Sequence, residues 1–182
     1  MKGIIFSSFL DFVELQLGDD FLEEMIDASN LETDGAYTNV GTYPVEELVI
    51  MLEFILSKHD LDKDQLLKDF GCHTFGHLNK NYSHLVVDFK DAFDCIYNVD
   101  QTIHQNVLKL YPDAELPIMK AKFLEHGNKL HLVYESSRPF MYVAYGLLDG
   151  CIKHFDDTVT IEMQDLSNGA GTHAEFYLTR DD

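Results

Sequence analysis

His104 is the side chain in this sequence best placed to do chemistry. It sits within residues 99–111, where apolar positions recur at helical spacing, and Asp100, Val107, Leu108 and Tyr111 fall on nearly the same face. An imidazole on an apolar helical face can ligate iron through one ring nitrogen, or it can be a core histidine hydrogen-bonded to a carbonyl. One histidine does not define a metal site, so spacing alone leaves both open.

The second group is Tyr134-Glu135-Ser136-Ser137-Arg138-Pro139. On an extended strand Tyr134, Ser136 and Arg138 would project from one side, so two hydroxyls and a guanidinium converge. Such a set suits a pair of carboxylates: arginine offers a planar fork for bidentate bonding and the hydroxyls take remaining lone pairs. A strand end with incidental polar residues is the competing reading.

The remaining clusters are weaker. Cys72, His73, His77 and His84 lie close in sequence, but their spacing matches no standard zinc pattern and they read as solvated loop residues, as do His126 and His131. The acidic pairs Asp19-Asp20, Asp156-Asp157 and Asp181-Asp182 read as solvated surface. No nucleophile with a nearby base and no phosphate loop stands at a recognisable spacing, so the expectation is a protein that is not an enzyme. Cys72, Cys95 and Cys151 are widely separated and odd in number, which predicts reduced thiols and a cytoplasmic setting. They also support an alternative: a redox or small-ligand binding module working through cysteine thiols.

Composition narrows the partners. The 182 residues carry 13 Lys+Arg against 32 Asp+Glu, a formal charge of −19, which repels nucleic acid and anionic lipid. In such a chain an anionic ligand must rely on local cations, which gives Arg138 more weight. No run approaches the roughly 18 uninterrupted apolar residues that span a bilayer, so no membrane partner is expected. The start of the chain looks like a signal peptide, but Asp11 and Glu14 interrupt it and it reads as a first helix.

These groups need elements to position them. Ile5, Phe9, Phe12, Val13 and Leu17 predict a helix ending at Gly18, and a second helix is expected over residues 20–28. Pro44 opens a third, through Lys58, with Val45, Leu48, Val49, Leu52, Ile55 and Leu56 on a broad buried face. A short helix over residues 62–70 should stop at Gly71, with residues 72–83 a loop or broken helix. Further helices are predicted over residues 85–97 and 99–111, the latter ending before Pro112. Beyond Pro117 the period becomes two: a hairpin turns at Gly127-Asn128, residues 140–155 form an apolar helix, and strands 159–163 and 174–178 flank a turn at residues 168–171. The fold class is therefore α+β. A helical lobe, about residues 1–111, is followed by a lobe, about residues 117–182, with an antiparallel sheet and a helix.

With these residues in order, the sequence resembles the H-NOX haem domains (haem nitric oxide and oxygen binding), related to the haem domain of soluble guanylate cyclase. Tyr134, Ser136 and Arg138 match the family's Y-x-S-x-R motif, His104 its proximal haem histidine, and Pro117 the proline that packs on the haem. Met1-Lys2-Gly3-Ile4-Ile5 and Gly146-Leu147-Leu148-Asp149-Gly150 also resemble the family, so the likeness spans residues 1–182 as a single domain.

The resemblance implies a haem b held between the two lobes, with His104 on the iron, Tyr134, Ser136 and Arg138 on the propionates, and Pro117 against the macrocycle. Ile5, Phe9, Val143 and Leu147 would line the pocket. Members that hold dioxygen stably use a distal tyrosine, and Val143 stands at that position with no hydrogen bond to offer. Tyr142 and Tyr145 point elsewhere on a helix. The resemblance thus implies a sensor of nitric oxide, and of carbon monoxide, rather than dioxygen. It also implies that His104 leaves the iron when nitric oxide binds, and that the signal passes to a separate protein, a sensor histidine kinase or a cyclic-di-GMP enzyme.

Overall fold

The structure is a computed structural model that describes residues 1–180; the Asp181-Asp182 run lies outside the described residues. The chain divides into two compact units, Met1–Leu66 and Leu67–Asp182.

The first unit is helical. Helix α1, Gly3–Leu17, carries the apolar stripe expected of it, with Phe6, Phe9, Phe12 and Val13 buried, and it stops where Gly18 takes a φ of 92° open chiefly to glycine. Helix α2, Asp19–Ser29, packs against α1 and against α3, Val45–Lys58. Along α3 the buried residues Leu48, Met51, Leu52 and Ile55 recur every three or four positions, while Glu46 and Lys58 sit at the ends favoured by the helix dipole. Each such apolar side chain contributes about 1.5–3 kcal/mol when fully buried. Glu47 is the exception on that face, a buried carboxylate accepting from the Thr33 hydroxyl at 2.8 Å and the Tyr37 hydroxyl at 2.6 Å. Burial, and then the Glu47 contact, push the Tyr37 hydroxyl above its usual pKa.

Helix α4, Lys63–Tyr82, lies for most of its length in the second unit, and it corrects the expectation of a stop at Gly71. Gly71 lies within the helix at the crossing with α7, Met141–His154, where a side chain on it would stand 2.2 Å from the Val143 carbonyl oxygen. His73 and His77 are therefore half-buried helix residues, not loop residues, while His84 and His126 are exposed. Among residues 85–97 only Ala92–Tyr97 forms an α-helix, α5, because Asp91 caps it by accepting from the Asp94 N–H at 2.8 Å. Asp157 reaches the same helix end and accepts from the Ala92 N–H at 2.8 Å, so it is more than solvated surface.

Residues 99–111 also depart from a single helix. Val99–His104 is a wide π turn, and only Gln105–Leu110 continues as helix α6. Strands β1, Ile118–Leu124, and β2, Lys129–Glu135, form the expected hairpin, but its turn is a short 3-10 segment, Glu125–Gly127, with Glu125, His126 and Gly127 all at positive φ. Strands β3, Val159–Asp165, and β4, His173–Arg180, complete a four-stranded antiparallel sheet in the order β1-β2-β4-β3.

Register explains the core of this unit. Met119, Tyr134 and Ala174 form one row across the sheet; Ala121, Leu132, Phe176 and Met163 form the next, and Phe123, Leu130, Leu178 and Ile161 a third. The buried side chains of these rows share a core with Met141, Ala144, Leu148, Cys151 and Ile152 of α7 and with Phe93 and Ile96 of α5. On the opposite face His131 stacks on Tyr177 at 4.6 Å, so it too is more than a solvated residue. Cys95 and Cys151 are buried and Cys72 half-buried; none is in a disulfide.

Candidate functional site

His104 closes the π turn, a helical irregularity frequent at functional sites. Its Nδ1 lies 2.9 Å from Asp100 Oδ1, and its side chain is 13% exposed. Asp100 at the start of the same turn faces it, as the shared face of the sequence had suggested, although the hydrogen bond itself was not foreseen. Among the described residues no hydrogen bond reaches Nε2. Val99, Ile103, Val107 and Leu108 accompany His104, yet no residue of the π turn or of α6 is fully buried.

The turn is anchored at both ends. Asn98 donates to the Asp94 carbonyl at 2.8 Å and accepts from the Thr102 N–H at 2.8 Å, tying the turn to α5. Beyond α6, the Tyr111 hydroxyl meets the Tyr82 hydroxyl of α4 at 2.9 Å, and burial, together with that bond, pushes Tyr82 up to about 12. Pro117 is half-buried immediately before β1.

Tyr134, Ser136 and Arg138 do come together, but not by strand alternation. Strand β2 ends at Glu135 and the chain bends through residues 137–139. The bend is held by the Arg138 N–H donating to Ser136 Oγ at 3.1 Å, while the Ser136 N–H still bonds the Thr172 carbonyl. Tyr134 points into the core face at 3% exposure. Burial raises its pKa; the neighbouring Ser136 hydroxyl, the Phe140 backbone N–H and the Arg138 charge oppose the rise.

The Arg138 guanidinium already holds a carboxylate. One nitrogen donates to the Glu115 carbonyl at 3.1 Å and another pairs with the Glu115 side chain. Glu115 lies in the stretch before Pro117, and nothing in the spacing marked it as a partner.

The pocket positions named from the sequence fall on two helices. Ile5, half-buried, and Phe9, fully buried, lie one turn apart on α1 in the first unit. Val143, 9% exposed, and Leu147, half-buried, lie one turn apart on α7 in the second.

The class defined by helices and one antiparallel sheet carrying these groups is found among known structures. An H-NOX protein from K. algicida in the Fe(II) unliganded state is 32% identical, with a TM-score of 0.91, over all of this chain and 97% of that one. An H-NOX protein from S. oneidensis in the Fe(II)NO ligation state is 25% identical, with a TM-score of 0.92, over the whole of both chains. An IWP-051-bound H-NOX from Shewanella woodyi in the Fe(II)CO state is 32% identical, with a TM-score of 0.84, over all of this chain and 95% of that one. A comparison with curated proteins gives no match. The chain matches the Haem-NO-binding family over residues 2–163 and belongs to it. It is a haem-binding gas-sensor domain of the H-NOX fold. No helix among the described residues is long and apolar enough to cross a membrane.

Proposed function

We propose that this domain senses nitric oxide, and carbon monoxide, through ferrous haem b ligated by His104, and discriminates against dioxygen. The observation that carries the reading is the division of labour on the His104 ring: Nδ1 is engaged by Asp100 at 2.9 Å, which leaves the Nε2 lone pair for a metal.

The other residues fit the same group. Haem carries two propionates, and Arg138 is shown here to take a carboxylate, that of Glu115, with Ser136 and Tyr134 hydroxyls beside it. Val99, Ile103, Val107 and Leu108 supply apolar surface that is not fully covered by protein. The family resemblance also implies haem contacts for Pro117, Ile5, Phe9, Val143 and Leu147.

His104 Nε2 would hold the ferrous iron of the haem, which would supply the gas-binding position, and release of His104 on nitric oxide binding would be the signalling event. Val143 offers no hydrogen bond to a bound gas, which disfavours dioxygen more than nitric oxide or carbon monoxide because bound dioxygen carries partial negative charge. The altered domain is read by a separate protein, a sensor histidine kinase or a cyclic-di-GMP enzyme; nucleic acid and membranes take no part.

The optical spectrum tests the ligand assignment. A Soret band that is lost in His104→Gly and returns with added imidazole is expected. A band indifferent to this substitution overturns the assignment, and a colourless protein after expression with ample haem favours a thiol-based module instead.

A further inference from the structure

Asp100 does more than neighbour His104. Its carboxylate stands one turn earlier on the same π turn, 2.9 Å from Nδ1, and its side chain is 35% exposed against 13% for the histidine. The carboxylate therefore sits on the solvent side of the ring and the ring itself is mostly covered. The turn that carries Asp100 is also fixed in place, because Asn98 bonds both the Asp94 carbonyl of α5 and the Thr102 N–H. Helix α5 is in turn anchored by the buried Phe93 and Ile96.

A histidine that donates Nδ1–H to a carboxylate differs from one that donates to a backbone carbonyl. The carboxylate fixes the tautomer, holds the ring plane, and draws the shared proton toward itself, which raises electron density on Nε2 and makes it a stronger metal ligand. We propose that Asp100 is a positioning residue that sets the strength of the iron–His104 bond, and with it how readily His104 departs when a gas binds on the opposite side. The inference rests on His104 being the iron ligand. On this reading Asp100 biases the domain toward keeping its histidine bound, so departure demands a ligand with a strong trans effect.

The experiment compares the haem-loaded protein with Asp100→Asn, Asp100→Ala and Asp100→Glu, using Gln101→Ala, an exposed position on the same turn, as control. Haem content and circular dichroism establish that each variant is folded and loaded. The first readout is the iron–histidine stretching band of the unliganded ferrous protein by resonance Raman. The second is the ratio of histidine-bound to histidine-free haem in the optical spectrum of the nitric oxide complex.

Asp100→Asn keeps the shape and removes the charge. It and Asp100→Ala are expected to retain the Soret band, to move the stretching band to lower frequency, and to shift the balance toward histidine release by about 10- to 100-fold, the usual cost of losing such an outer partner. Asp100→Glu, which restores a carboxylate, should recover part of the wild-type frequency, and Gln101→Ala should leave it unchanged. A band at the wild-type frequency in Asp100→Asn overturns the proposal. If Asp100→Ala fails to fold, Asp100→Asn and Asp100→Glu still decide between charge and mere packing. Failure of the underlying assignment looks different: wild-type protein would show no iron–histidine band sensitive to His104→Gly.

Discussion

Gly71 of α4 and Gly146 of α7 meet where the two helices cross: a Cβ built on Gly146 would stand 2.0 Å from the Lys68 carbonyl oxygen and 2.8 Å from the Gly71 Cα. Both obstacles are backbone, which cannot swing aside as a side-chain tip can. Gly146→Ala should therefore destabilise the domain by about 1–3 kcal/mol, the range for overpacking a tight contact, despite alanine's better helix propensity. Gly76 is also within α4 but has open space around its Cβ direction, so Gly76→Ala should stabilise by about 0.5–1 kcal/mol. Urea unfolding of the two variants checks the opposite signs.

Arg138 should govern retention of haem. Replacing it with alanine removes a charge-assisted contact worth about 1.5–3 kcal/mol, so haem affinity should fall about 10- to 100-fold in a transfer assay against a competing haem acceptor. Arg138→Lys should recover little, because lysine lacks the planar fork.

Val143 should control dioxygen. Val143→Tyr places a hydroxyl where the family resemblance puts its distal donor, and a hydrogen bond to a partly charged ligand contributes about 1.5–3 kcal/mol. Dioxygen should then dissociate measurably more slowly, by about 10- to 100-fold in stopped-flow traces. Unchanged dissociation would separate Val143 from the pocket.

Glu47 holds the first unit together from within. Glu47→Ala leaves the half-buried Thr33 and Tyr37 hydroxyls without their charged acceptor, at a cost of about 1–3 kcal/mol in unfolding free energy. Glu47→Gln retains an acceptor and should cost less.

Asp91 gives acid sensitivity to the second unit. Burial alone would raise its pKa, but the Asp94 N–H at 2.8 Å and Arg180 at 3.0 Å outweigh burial and hold the carboxyl below the usual carboxylate range. A depressed native pKa gives stability that is complete above the unfolded value and is lost as pH falls through the native one. Asp91→Ala should cost about 1–2 kcal/mol near neutrality, and the gap from wild type should narrow below the ordinary carboxylate range. A gap independent of pH in calorimetry would contradict this.

Much of the scaffold was written plainly in side-chain periodicity. The stripes of α1 and α3, and the alternation through β1 and β2, follow from burial of one face and need no knowledge of distant partners. Gly71 misled because glycine punctuates helices only when the chain turns left-handed there; at Gly71 the backbone remains helical and the missing side chain serves a neighbouring helix. Residues 85–97 carry helical spacing, yet the cap at Asp91 delays the helix, a choice made by a hydrogen bond rather than by periodicity. At the site, the sequence named candidate residues without their geometry. The bend after Glu135 rests on a local Arg138–Ser136 hydrogen bond, the π turn at His104 on local backbone bonding, and the seat of Arg138 on two contacts to Glu115, and none of these leaves a repeating signature.

The phenol pair of Tyr82 and Tyr111 also makes the protein its own reporter. It joins the end of α4 to the residue just past α6, so any displacement of the segment bearing His104 strains or breaks that link. The sequence contains no tryptophan, leaving near-ultraviolet tyrosine bands unobscured by indole. If gas binding moves this segment as proposed, the motion should be visible without an attached dye, in the difference between wild type and Tyr82→Phe.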